Sequence, residues 1–547
     1  MWTTHYDVAI VGAGVAGSAL AHALATLPRS KPLRIALLER TLAEPDRIVG
    51  EILQPGGVSA LEELGLASCL ENIDAAYLKG FCMLSGDQAV EIPNPRTSEG
   101  RSFHYGRFIT NLRDAVRKVG VDVIEATVTG LVHAHFEPKI IGVHAVQTDG
   151  AASGEDGNKV TLLADLVVVA DGAFSNFRSS VMGQVVGKPL ARSHCFGVVM
   201  EDAPLPLQEH GTIVLMKGSG PVLLYQISKH HTQMLVDIKQ PTPSDLKSLI
   251  LTTIIPQLPL PLRCAAEAAI TKDGLRRMPS SIFAAVQQGT PSSGGILLGD
   301  AWNMRHPLTG GGMTVTLNDV VILRSLLGAL PDFKDRAQVN RAVRQWHWRR
   351  KPVASTVNIL SSALHGLFSG DDEDLAILRS GCVKYLERGG ECINGPASLL
   401  SIVAPSHIRL IWHFFALTCY SIWVLFTYPR ATPGLNGKPR YIAPSFDEYP
   451  MLLRRSIHIV HLSLYLSRRT ALKKNLQLYT ACLIFLPPIW SELRWWAPRA
   501  PPKPIAAPAP PAIPNAATES VTLTVYFVWF TVPLALWMSF LALGWIS

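Results

Sequence analysis

Cys-x-x-Cys never occurs in this chain, although it carries eight cysteines, Cys69, Cys82, Cys195, Cys264, Cys382, Cys392, Cys419 and Cys482. The spacing excludes a zinc ribbon or a dithiol redox motif and predicts free thiols in a reducing compartment. His133 and His135 form a His-x-His with no partner cluster, so no metal centre is expected. Charge is also scarce. Only 17% of residues are Asp, Glu, Lys or Arg, with a net charge of +8. A basic balance can signal nucleic acid, but no RNP, zinc-finger or basic-region pattern is present, and no nucleic-acid partner is expected. The opening "MWTTHYDVAIVGAG" runs straight into an apolar strand, without a basic segment followed by a leader core. No secretory signal is therefore expected, and any membrane attachment must come from later in the chain. No Ser/His/Asp set or paired-carboxylate site stands out either, which directs attention to a cofactor.

What the chain does have is apolar residue. Of its 547 residues 48% are hydrophobic, and the long apolar runs gather in the last third. The first long pattern is "YDVAIVGAGVAGSALAHALATL", followed by "LRIALLER". An apolar strand, then Gly12-x-Gly14-x-x-Gly17, then a helix and a second strand ending in Glu39-Arg40 make the βαβ dinucleotide fingerprint. The glycines let the backbone approach a pyrophosphate at the helix N-terminus. Glu39 stands where its carboxylate can accept from a ribose hydroxyl. Two more strand-to-helix turns follow: "VVADGAFSNFR" with Asp171 and Arg178, and "GDAWNMRHPLTGGGMTV" with Asp300 and three successive glycines. Ligands bind beyond the carboxyl ends of such strands, so the three turns are expected to converge on one cofactor.

Composition divides the rest. Residues 185–285 alternate in short runs such as "TIVLM" and "VLLYQIS", the pattern of an antiparallel sheet inserted near 185–285 in a body spanning residues 1–355. Residues 356–496 form a helical, membrane-associated region. Within it, 407–428 and 476–490 suit interfacial or re-entrant attachment. Residues 497–520 are a Pro/Ala-rich linker, and 521–547 are 27 residues without a charge, long enough to span a bilayer. The basic groups Arg349-Arg350-Lys351, Arg454-Arg455, Arg468-Arg469 and Lys473-Lys474 flank the apolar segments and are expected at a cytoplasmic membrane surface.

The stretches "ERTLAEPDRIVGEILQPGG", "GRFITNLR", "VVADGAFSNFR", "GDAWNMRHPLTGGGMTV" and "GGECINGPASLL", in this order, resemble the squalene monooxygenase (squalene epoxidase) family over roughly residues 5–495. The resemblance implies an α/β fold: a Rossmann-like FAD-binding domain with an inserted antiparallel-sheet substrate domain, hydroxybenzoate-hydroxylase-like, plus a C-terminal helical membrane-binding region. It implies epoxidation of squalene by O2 to (3S)-2,3-oxidosqualene through a flavin hydroperoxide. Electrons would come from NADPH through NADPH–cytochrome P450 reductase, at the endoplasmic reticulum, with the catalytic body on the cytoplasmic side of the lipid.

It also implies FAD contacts at Val15, Ala16, Glu39, Arg40, Arg47, Ile52, Arg113, Val128, Asp300 and Met313, beside Gly12, Gly14, Gly17, Asp171, Gly311 and Gly312. Gln54 is the expected polar group tuning the flavin. The family pairs this Gln with a Tyr; here the matching position is Phe81, which offers no hydroxyl. Two alternatives stay open at this stage: an FAD epoxidase of another polyprenyl or terpenoid, and a non-catalytic FAD-binding membrane protein.

Overall fold

The computed structural model describes residues 3–427 apart from short loop stretches, of which 148–157 is the longest, together with the strands Arg430–Pro433 and Pro439–Ile442. The apolar run 476–490, the linker 497–520, the segment 521–547 and three of the basic pairs lie outside the described residues.

Strand Thr3–Val11 takes the centre of a parallel sheet. It pairs with Ile35–Glu39 on one side and Asn158–Val169 on the other. Asp122–His133 extends the sheet beyond Ile35–Glu39, and Ile296–Leu297 extends it beyond Asn158–Val169. Strand Ile140–Gln147 runs antiparallel to both Asp122–His133 and Asn158–Val169. The central strands are continuous apolar runs because both of their faces are covered. Helices Val15–Ala25 and Gly312–Gly328 pack together against this sheet, and Ala19, Leu20, Leu317, Val320 and Leu323 are fully buried in its core.

The antiparallel layer has seven strands: Arg276–Ile282, Leu190–Glu201, His231–Lys239, Val222–Gln226, His210–Leu215, Gly80–Ser85 and Gln88–Pro93. It therefore reaches beyond residues 185–285. The hairpin 80–93 joins it through a parallel pairing of Gly80–Ser85 with His210–Leu215. Alternation along these strands sends Cys82, Leu84, Val198, Val214, Leu224 and Val236 to one face, covered by helix Leu260–Lys272. It sends Phe81, Met83, Ile213, Leu223, Tyr225 and Leu235 to the other, covered by helices Lys351–Ser369, Glu373–Glu387 and Glu391–Leu400. Both faces are apolar because both are buried.

One expectation is overturned here. Arg350 and Lys351 are 1% and 2% exposed and do not reach a membrane surface. Arg350 donates to both carboxylate oxygens of Asp319 at 2.7 and 2.8 Å and lies over the Trp302 ring. A guanidinium in the core is tolerable when its charge is paired and its donors are satisfied.

Helix His407–Thr427 is long and apolar enough to cross a membrane, yet one face is packed on the protein. Leu410, His413, Phe414, Val424 and Leu425 are buried, while Ile408, Ile411, Trp412, Phe415 and Trp423 stand exposed along the opposite stripe. The i, i+3 and i+4 spacing puts apolar side chains on both the packed and the exposed stripe of this helix.

Candidate active site

The three strand-to-helix turns converge on one cleft of about 560 Å³. Its walls include Gly12, Gly14, Val15, Ala16, Glu39, Arg40, Arg47, Ile52, Val128, Asp171, Asp300, Gly312 and Met313, all anticipated from the sequence. At Gly12 the chain turns with φ +101°, and a side chain there would collide with the Ala170 backbone. The first turn is thus pressed against the second, and only glycine fits between them.

Glu39 accepts the Ala13 N–H at 2.7 Å and the Arg40 N–H at 3.0 Å, which locks the carboxylate over the turn. Arg113 stands one layer behind the cleft. It is buried, donates to the carbonyls of Ala13 and Ala43 at 3.0 and 3.1 Å, and lies 3.7 Å from the Glu39 carboxylate. Its place in the site is to hold the glycine turn and Glu39. Across the mouth, Arg47 reaches the Asp300 carboxylate at 3.8 Å and lies over the Tyr105 ring. Arg178, buried behind the second turn, donates to the carbonyls of Ala301, Ser175 and Ala173 and so fastens that turn to the third.

The three glycines after Asp300 divide their work. Gly310, at φ +58°, and Gly312 line the cleft. Gly311 faces away, against Val357 and Ile402 of the helical region. Gly17 lies behind the first turn, against the Gly12 carbonyl, outside the cleft wall. Gln54 is fully buried at the start of helix Pro55–Glu63, where its amide donates to the Thr309 carbonyl at 2.7 Å and its own oxygen has no partner. Phe81 is buried in the sheet, its ring over Gly211, within the apolar cluster beside Ile52.

Several lining residues were not singled out from the sequence, although Phe174, Arg305 and Glu51 lie within its motifs: Tyr105, Phe174, Arg305, Glu51, Leu223, Tyr225 and Leu235. The last three come from the antiparallel sheet, so the roof over the cleft exists only in the tertiary fold. Tyr225 donates to the Glu51 carboxylate at 2.9 Å, and burial pushes the Glu51 carboxyl up to about 8. Asp171 is raised by burial, and its Oδ1 has no partner. Arg47 Nε is also unpartnered.

Sequence reasoning missed a second constellation as well. Asp237 accepts from His306 Nε2 at 3.2 Å and from His365 Nε2 at 3.0 Å, with Cys195 and Ser369 at its edges. Burial raises the Asp237 carboxyl, but the two imidazoles outweigh it and hold the group well below the usual carboxylate range. Cys195, Asp237 and His306 have ligand-type atoms close together, and hydrogen bonds knit them into one network. His306 opens the segment His306–Gly310, whose Pro307 and Gly310 wall the cleft.

These residues fit FAD. A glycine-lined turn meets a helix N-terminus, an acid stands at the end of the second strand, and Asp171 and Arg47, each with a buried polar atom that has no partner, line the same cleft. A flavin gives such a site redox chemistry that these side chains lack.

Residues 163–434 match the squalene epoxidase family model. The chain is 42% identical to squalene epoxidase erg1 of Aspergillus fumigatus over 458 residues, 80% of this chain and 89% of that protein. It is 40% identical to squalene monooxygenase of Mus musculus over 479 residues, 84% and 80% of the two chains. Its fold matches a probable FAD-dependent monooxygenase, PqsL of Pseudomonas aeruginosa. That match has a TM-score of 0.54 and 18% identity, covering 68% of this chain and 98% of the other. With the fingerprint, the roofed cleft and two relatives matched over most of their length, this chain belongs to the squalene epoxidase family.

Proposed function

We propose that this protein epoxidises squalene to (3S)-2,3-oxidosqualene with O2. NADPH supplies the electrons through a separate reductase of the cytochrome P450 reductase type. The observation that carries this reading is the junction between cleft and core. Ile52, Leu223, Tyr225 and Leu235 line the cleft and also belong to the apolar cluster between the antiparallel sheet and the helices. The end of a hydrocarbon entering the cleft meets, at that junction, apolar side chains that exclude water.

FAD, when bound, supplies the activation of O2. The protein's own residues bind, orient and dry. Arg47 and Asp300 flank the cleft, Glu39 and Arg113 set the first turn, and the apolar seam keeps out the water that would divert the activated oxygen. The exposed stripe Ile408, Ile411, Trp412, Phe415 and Trp423 supports docking on lipid. The membrane in this reading is that of the endoplasmic reticulum, with the catalytic body on its cytoplasmic side.

The test is turnover. Protein in mild detergent, given FAD, reductase, NADPH and squalene, should yield oxidosqualene identified by mass and chromatographic retention. NADPH oxidation with no epoxide from squalene, but with epoxide from another polyprene, would refute the substrate assignment.

A further inference from the structure

Glu51 and Tyr225 meet where the cofactor cleft joins the apolar seam. Glu51 follows Gly50 in the segment before strand Ile52–Leu53, and Tyr225 lies on strand Val222–Gln226. They are 4% and 3% exposed, and both line the cleft. The Tyr225 hydroxyl donates to Glu51 Oε2 at 2.9 Å, across 174 residues of sequence. The charged groups around the pair are Asp46 and Arg47 on the same segment and Arg276 on strand Arg276–Ile282, with the Cys195 thiol facing Tyr225. The two cations have other carboxylates. Arg276 lies 2.6 Å from Asp46, and Arg47 lies 3.8 Å from Asp300. Among the described residues none makes an ion pair with Glu51. A carboxyl so buried, with only a phenol to donate to it, stays protonated at neutral pH.

We propose that Glu51 is the proton-holding catalytic acid of the cleft, oriented by the Tyr225 hydroxyl. The assignment rests on the epoxidation reading above. In that reaction one oxygen atom of O2 forms two C–O bonds across the former double bond. The O–O bond breaks, and the other oxygen leaves as water. A reduced flavin would bring two electrons and one proton, and one further proton completes the balance. The site must exclude bulk water, so a proton has to be stored inside it. Glu51 releases one to the departing oxygen, and the resulting carboxylate takes a proton from solvent before the next cycle. Tyr225 is a positioning residue: its bond to Oε2 leaves Oε1 to carry the proton.

Two measurements on the full chain test this, with Glu51→Gln, Glu51→Asp and Tyr225→Phe. The first is thermal unfolding of the protein without FAD. A folded carboxyl raised from 4.5 to about 8 favours the unfolded state as pH climbs between those values, because only the unfolded chain ionises there. Wild type should lose stability across that window, and Glu51→Gln should lack that component.

The second measurement is turnover with FAD, reductase, NADPH and squalene. Glu51→Gln should bind FAD but lower epoxide formation by about 100-fold and release more H2O2, while Glu51→Asp recovers part of the yield. Wild-type activity should decline on an alkaline limb near pH 8. That limb should shift in Tyr225→Phe and vanish from the residual activity of Glu51→Gln. Wild-type yield in Glu51→Gln, or identical pH–stability curves, overturns the proposal. Loss of FAD binding in Glu51→Gln also overturns it and makes Glu51 a binding residue. If the stability difference holds but wild type makes no epoxide from squalene, the buried neutral acid stands and the substrate reading falls.

Discussion

The imidazoles of His306 and His365 stack with centroids 3.9 Å apart, and both donate to the single carboxylate of Asp237. Three elements meet there: the loop that walls the cleft, helix Lys351–Ser369 and strand His231–Lys239 of the roof. His306 Nδ1 accepts the Leu308 N–H at 3.2 Å, so the ring proton sits on Nε2, facing Asp237. The cluster ties the roof to the loop beneath it.

Asp237→Asn removes the charge and leaves two ring N–H groups competing for one amide oxygen. The expected loss is roughly 3–5 kcal/mol, read as a lower midpoint in urea or heat. The pH response has a definite sign. The folded Asp237 carboxyl lies below its ordinary 3.8, so its stabilisation is complete above that value and is lost as pH falls through the folded value. His306, lowered first by burial and then by His365, resists protonation in the fold. Its contribution therefore also declines as pH drops below the ordinary 6.5. Unfolding scans carried below pH 3.8 should show acid destabilisation that is weaker in Asp237→Asn. Equal slopes in the two proteins would rule out this account.

Arg350→Ala leaves the Asp319 carboxylate buried without its partner and empties the space over Trp302. The variant should lose roughly 3–5 kcal/mol, whereas Arg350→Met with Asp319→Leu should recover most of it. A surface-type effect, under about 1 kcal/mol for Arg350→Ala, would contradict burial of this pair.

Asp300→Ala takes away the carboxylate facing Arg47 at the cleft mouth. FAD affinity, followed by quenching of flavin fluorescence, should fall by about 10- to 100-fold if the carboxylate hydrogen-bonds the cofactor. An unchanged affinity would leave Asp300 as a partner of Arg47 alone.

Truncation after residue 497 should leave a protein that binds FAD and still sediments with lipid vesicles at high salt. The exposed aromatic stripe of helix His407–Thr427 provides the contact, each ring burying about 150–250 Å². Adding Trp412→Glu and Phe415→Glu should weaken vesicle binding of the truncated protein. If the truncated protein is soluble before those substitutions, residues 498–547 hold the only anchor.

The sequence by itself determined the local chemistry. The strand, Gly12-Gly14-Gly17 turn and Glu39 share one βαβ unit, and their spacing is set by short-range geometry. The same holds for Asp171 and for Asp300 with its glycines, each at the end of an apolar strand. The 2-residue alternation of 185–285 marked a sheet, and 407–428 marked an apolar helix.

What lay across long separations was decided by the tertiary structure. The Gly80–Pro93 hairpin joins the sheet through a pairing that no local pattern encodes. Arg350 and Lys351 read as surface charge until Asp319 and the Trp302 ring enclose the first of them. Arg113 sits behind the cleft and Gly311 turns from it, because a motif gives the order of residues and not the direction each one faces. Glu51 and Tyr225 become a pair only when the roof sheet closes over the nucleotide turns, and that burial, absent from any window of sequence, is what pushes the Glu51 carboxyl up.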